Sequence, residues 1–420
     1  MGAEPVSRRP RALFVTYGGG HVSMVLPVIR ALERLHPEID CALLALTTGH
    51  LKARSARPTL GYRDFLHLVD APAAKAWGER LCQGNTSPDV PLDETIAYLG
   101  INYLDMIAQH GEAGAAEVYR KQGRHGFRPL HFMQRVLEEL QPDVVGATNS
   151  PRSEQAALEA SKTLGIASVG MVDLFGLDKD TYVLRDVKPD WTCVISQVVR
   201  QRLITRGFPS TGVVVTGNPA FDGLCAAENV AKAQQFVVAH GWQGLSPILW
   251  SGHIEPAGFS ASDAQVGHGL ALDVETRLRM WIRTRRDLAL IIRYHPSEWH
   301  TFPRQPDQAR IHFSQPSLEH IHPLILAARV VVVQNSTVGL ESAVAGRPVV
   351  SLEYSPSVQG SFSLAAMGVS TSCDSPQELV DVLDRVLRAP GIVPREYVSD
   401  GHAAERVAAV ISLALGTRNS

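Results

Sequence analysis

Several things are scarce in this 420-residue chain, and each scarcity excludes a class of protein. Its five cysteines, Cys41, Cys82, Cys193, Cys225 and Cys373, stand far apart with no C-x-x-C pair. That spacing argues against a disulfide framework or a zinc site and fits a reducing compartment. No apolar run approaches the ~18 residues of a membrane-spanning helix. The first one, Ala12–Tyr17, is soon ended by glycines and reads as a strand rather than a signal peptide. An excess of either charge is also lacking, since 40 Lys and Arg face 42 Asp and Glu, so nucleic acid is not an expected partner. A cytoplasmic protein is expected, with peripheral contact to the inner face of a membrane left open.

What is present is alternation. Short β-rich apolar runs recur at Ala12–Tyr17, Cys41–Thr47, Asp143–Ala147, Ala167–Val172, Thr192–Ile195 and Val213–Thr216. A second series follows at Ile248–Ser251, Leu288–Arg293, Val330–Val333 and Pro348–Leu352, with helical periodicity between the runs. This pattern predicts an α/β protein with two Rossmann-like, doubly wound parallel sheets whose strand ends face a cleft. The first domain is expected over residues 1–225, the second over 226–395, and a C-terminal helix within 396–420 that crosses back. Residues 85–126 interrupt the alternation with helix alone (Leu92–His110, then Glu112–Lys121) and read as an insertion able to cover an acceptor.

Three polar clusters stand at expected strand ends. Tyr17-Gly18-Gly19-Gly20-His21 joins the first strand to a helix; the glycines allow a tight turn, and His21 is placed for a base or an anion contact. In Thr148-Asn149 through Asp173, the aspartate is placed as a general base for a hydroxyl, with Asn149, Arg152 and Glu154 positioning substrate. In the second domain, Gln334-Asn335-Ser336-Thr337 ends a valine run and opens a helix, where hydroxyls can cap the helix and hold an anion. Glu341 follows one helical turn later, and Ser251-Gly252-His253 forms a further loop able to touch a ligand.

These stretches carry resemblances. GGGHVSMVLPV resembles the first loop of GT-B glycosyltransferases, notably the undecaprenyl-diphosphomuramoylpentapeptide N-acetylglucosaminyltransferases. Pro189–Leu224, with its Thr-Gly-Asn-Pro turn, is similar to a segment of the UDP-N-acetylglucosamine 2-epimerases. ALIIRYHPSEW and QNSTVGLESAVAGRPVV resemble the His-Pro and Ser-Thr motifs of capsule-type transferases that use CMP-Kdo, CMP-sialic acid or CDP-glycerol. These resemblances imply that His295, Ser336 and Thr337 hold a donor phosphate and that Glu341 accepts the ribose hydroxyls. Two epimerase features are missing: Thr148-Asn149 stand where those enzymes place an acid, and Ser251–Glu255 replace their His-Arg-Arg-Glu-Asn.

The expected activity is transfer of a sugar from a nucleotide-activated donor to a glycan, lipid-linked or other acceptor. His21, Asp173 and His295 are the expected catalytic residues. Gly252, His253, His295, Ser336, Thr337 and Glu341 would take the donor, and Gly19, Gly20, Asn149, Arg152 and Glu154 would form acceptor-side loops. Neither metal nor cofactor is expected. The alternatives are a UDP-N-acetylglucosamine 2-epimerase, hydrolysing or not, and a non-catalytic sugar-nucleotide-binding protein.

Overall fold

The structure, a computed structural model, describes residues 8–84, 86–87, 90–177, 180–255, 267–304, 308–360, 362–389, 397 and 399–416. The chain folds as two compact units. One runs to Ala220 and takes up the segment from His402; the other is Phe221–Gly401.

The first unit holds β1 (Arg11–Tyr17), β2 (Asp40–Leu46), β3 (Val144–Thr148), β4 (Ala167–Met171), β5 (Trp191–Val194) and β6 (Val213–Val215). They form one parallel sheet in the order β2-β1-β3-β4-β5-β6. β3 and β4 are buried along their whole length, which is why neither carries a charged residue or alternates apolar with exposed positions. Helix Gly18–Leu35 lays Val25, Ile29 and Leu32 on the sheet, and helix Ala403–Gly416 brings Val407, Ala408 and Ile411 into the same core. The C-terminal helix, expected to cross back, is therefore part of the first unit's own core.

The helical segment between β2 and β3 is wider than the expected 85–126, of which residues 85, 88 and 89 lie outside the described residues. It includes helices Ala71–Leu81, Leu92–Gln122 and Leu130–Leu140. Gly111, at φ +71°, breaks the long helix at the expected place. The first two helices touch backbone to backbone. A Cβ on Gly100 would lie 1.8 Å from the Ala74 carbonyl oxygen, and one on Gly78 would lie 2.1 Å from that of Ile96.

The second unit holds β7 (Ser246–Gly252), β8 (Leu288–Tyr294), β9 (Ile311–Phe313), β10 (Val330–Val333), β11 (Val349–Leu352) and β12 (Thr371–Cys373). Its sheet is again parallel, in the order β12-β11-β10-β7-β8-β9. All ten expected strands are present. The two the periodicity does not reveal, β9 and β12, are three-residue strands at the two edges, too short to carry a pattern.

Both units are thus Rossmann-like, the pairing of domains that defines the GT-B architecture. In each sheet the strand order reverses once, between β1 and β3 and between β7 and β10. Ligands of open parallel sheets bind at the carboxyl ends beside such switch points. No described helix is long and apolar enough to cross a membrane.

Candidate active site

At the first switch point the glycines act differently from the expected loop. Gly18 alone makes the turn, at φ +80°, and the helix begins there, so Gly19, Gly20 and His21 already lie in its first turn. No side chain of the N-cap residue caps this helix. The capping group comes from 137 residues away, where Glu154 Oε1 accepts the Tyr17 N–H at 2.7 Å.

Glu154 is no loop residue either. It is the second residue of helix Ser153–Thr163 and is completely buried. Its Oε1 also accepts the Thr148 hydroxyl at 2.8 Å and lies 3.3 Å from His21 Nδ1. Thr148 Oγ1 is itself 2.8 Å from His21 Nδ1. On the other side of the ring, His21 Nε2 is 3.6 Å from Asp173 Oδ2. Asp173 follows β4 and is held by Asn149, which donates from Nδ2 to Oδ1 at 2.9 Å and accepts the Asp173 N–H at 3.3 Å. Asn218 Nδ2 donates to the Asp173 carbonyl at 2.8 Å. The Thr-Gly-Asn-Pro turn therefore braces the site through that side chain.

These contacts set the charges. Burial by itself would lower the His21 pKa, but Asp173 and Glu154 together overcome it and raise it to about 9. Burial would raise Asp173, and the adjacent His21 with the Asn149 hydrogen bond brings it below the ordinary carboxylate range. At neutral pH His21 is therefore an imidazolium, with Nδ1–H directed at Thr148 and Glu154 and Nε2–H toward Asp173. Proton removal by His21 is not open to it in this state; Asp173, half-buried and ionised, is the group able to accept a proton. Arg152 lies with its guanidinium carbon 3.8 Å from the centre of the Tyr17 ring, stacked on it rather than on a loop ligand.

In the second unit, three adjacent strand ends are tied together. The Gly252 carbonyl accepts the His295 N–H at 3.0 Å, and the His253 N–H donates to Gln334 Oε1 at 2.8 Å. A Cβ on Gly252 would stand 2.8 Å from the Trp250 ring, so this glycine is needed for packing. Gln334 Nε2 in turn donates to Glu255 Oε1 at 2.5 Å. Glu255 is fully buried and also accepts the Ser355 hydroxyl and the Ser357 N–H, the latter at 2.9 Å. Burial keeps His253 below the usual imidazole range, against the pull of Glu255 and Glu298, so it is neutral at pH 7.

Ser336 is the N-cap of helix Thr337–Val344, its hydroxyl accepting the Val338 N–H at 3.2 Å. Thr337 and His295 are exposed at the same edge of the sheet. His295 Nδ1 is engaged within its own turn, 2.8 Å from the Ser297 hydroxyl oxygen and accepting the Ser297 N–H at 3.3 Å. Glu341 is half-buried, and its Oε2 lies 3.3 Å from His322 Nε2.

Reading the residues one by one missed Thr148, Gln334, Glu255 and His322 as members of these clusters. Gln334 and Glu255 stood inside stretches already singled out, Gln334–Thr337 and Ser251–Glu255, but nothing local marks that their side chains bond to each other across 79 residues. His322 had none, since its partner is 19 residues away on another helix.

Comparison with known proteins places the fold. No family model matches the chain, and no curated protein matches it. Solved structures do. The UDP-GlcNAc 2-epimerase of Methanocaldococcus jannaschii matches with a TM-score of 0.61 at 15% identity, over 96% of this chain and 99% of that one. The Neisseria meningitidis UDP-GlcNAc 2-epimerase bound to UDP-GlcNAc matches with 0.54 at 14% identity, over 97% and 100%. The wall teichoic acid polymerase TagF matches with 0.54 at 10% identity, over 99% and 91%. These likenesses show the fold, two Rossmann-like domains of the GT-B type, along nearly the whole length of the chain.

Proposed function

We propose that this protein binds a nucleotide-activated sugar and transfers the sugar to an acceptor hydroxyl. The observation that carries the reading is the ionised Asp173 at the carboxyl end of β4, oriented by Asn149 and beside the His21 imidazolium. An aspartate so held can take the proton of an attacking hydroxyl while His21 keeps the carboxylate in place and charged. On the donor side, the His295 imidazole, the Thr337 hydroxyl and the first amides of helix Thr337–Val344 share one sheet edge. They would stabilise the charge that grows on a departing nucleotide phosphate, where one such donor is worth about 3 kcal/mol. Glu341 would accept the ribose hydroxyls, with His322 fixing its carboxylate. Solved structures of the same fold with UDP-GlcNAc bound support a nucleotide sugar as the ligand class.

One observation favours epimerisation. Glu154 brings a second carboxyl group to His21, so the site has more acid–base groups than Thr148-Asn149 alone suggests. Incubation of nucleotide sugars in deuterium oxide separates the two. Nucleotide release that depends on an added acceptor, with no deuterium at sugar C2, is expected for transfer. Deuterium at C2 without acceptor would decide for the epimerase.

A further inference from the structure

Within the first unit a cavity of about 240 Å³ lies under the helical segment, at the carboxyl ends of β1 and β2. Its walls include Tyr17, Thr47, Glu94, Thr95, Tyr98 and Arg124. Tyr17 joins it to the site described above, because the same residue donates its N–H to Glu154.

Three observations mark this cavity as more than a packing gap. Tyr98 is only 4% exposed, and its buried hydroxyl has no hydrogen-bond partner among the described residues. A buried donor left unpaired is costly, and a molecule in the cavity can pair it. Thr47 has φ +51°, a conformation that β-branched residues almost never adopt and that clusters at ligand sites. Third, the lining has the chemistry of one kind of molecule. The hydroxyl-bearing residues Thr47, Thr95 and Tyr98 stand in it beside a second tyrosine, Tyr17, and the Thr95 hydroxyl donates to the Pro91 carbonyl at 3.2 Å.

The charges exclude the other candidates. Among the described residues of the lining, Arg124 is the one cation and Glu94 the one acid. Both Glu94 oxygens are already occupied, accepting the Tyr62 and Arg63 N–H groups at 2.7 and 3.1 Å. The described lining offers no pair of cations for a diphosphate, and the volume falls below the ~300–1,000 Å³ typical for drug-sized ligands. We infer that this cavity holds one uncharged, hydroxyl-bearing ring, a monosaccharide unit of the acceptor, an assignment that rests on the transfer reading above.

The test uses the full chain and saturation-transfer NMR with methyl glycosides of glucose and N-acetylglucosamine, and with glucuronate and inorganic phosphate as anionic probes. Saturation of at least one neutral glycoside is expected, with Tyr98→Phe raising its Kd about five- to tenfold and Thr95→Val weakening it in the same sense. Tyr98→Phe keeps the ring and removes only the unpaired hydroxyl, so its melting temperature should hold or rise. That separates a lost contact from a lost fold. Absence of saturation with both neutral glycosides, an unchanged Kd in Tyr98→Phe, or preference for glucuronate or phosphate overturns the inference. The transfer reading fails separately, if acceptors never promote nucleotide release while the Tyr98-dependent glycoside binding persists.

Discussion

Replacing His21 by Gln tests the charge arrangement at the first switch point directly. The His21 pKa stands at about 9 against an ordinary 6.5. That difference corresponds to about 3 kcal/mol of preference for the imidazolium in the folded protein. Because the folded pKa lies above the unfolded one, the stabilisation is complete below pH 6.5. It declines as pH rises from there and is gone above about 9. The stability gap between wild type and His21→Gln should therefore shrink by about 3 kcal/mol between pH 6 and pH 10. Denaturation by calorimetry at pH steps across this window reads the gap, with the transition of the first unit followed by itself. NMR titration of the imidazole signals provides the pKa independently. Activity should share the same alkaline limb, since loss of the imidazolium removes the charge beside Asp173. A pH-independent gap, together with an imidazole that titrates near 6.5, would refute the proposed ion cluster.

Asp173→Asn should lower kcat about 10²–10⁴-fold and move the His21 pKa down, since the aspartate is a major cause of its elevation; unchanged turnover would remove Asp173 from the chemistry. Glu341→Ala should weaken nucleotide binding more than Glu341→Gln, and His322→Ala should fall between wild type and Glu341→Ala, all read by calorimetry with the matching nucleotide. Equal affinities would leave Glu341 as a helix-surface residue. Gly100→Ala should destabilise the first unit by about 3 kcal/mol or more, because the new methyl would stand 1.8 Å from a backbone oxygen. A melting temperature equal to wild type would show that the helices can separate at little cost.

The two sheets were legible because their central strands are buried on both faces. Val330–Val333 and Val144–Thr148 have no polar alternative to the interior, and such runs announce parallel strands wherever they occur. Ser336 was legible for a local reason, since a helix cap depends only on residues two or three positions away. His21 and Asp173 could be placed at strand ends from the sequence, but their charge states could not. The imidazolium exists because β1, β3 and β4 lie side by side and bring Glu154 and Asp173 to one ring from 133 and 152 residues away. The sequence by itself determined which segments became strands and helices, because hydrophobic periodicity and capping act over a few residues. Only the tertiary structure decided that His21 is a cation, that Glu154 is buried beneath it and that the Tyr98 hydroxyl finds no partner among the described residues. Burial and charge depend on what packs nearby, and neighbours in space are chosen by sheet order rather than by spacing along the chain.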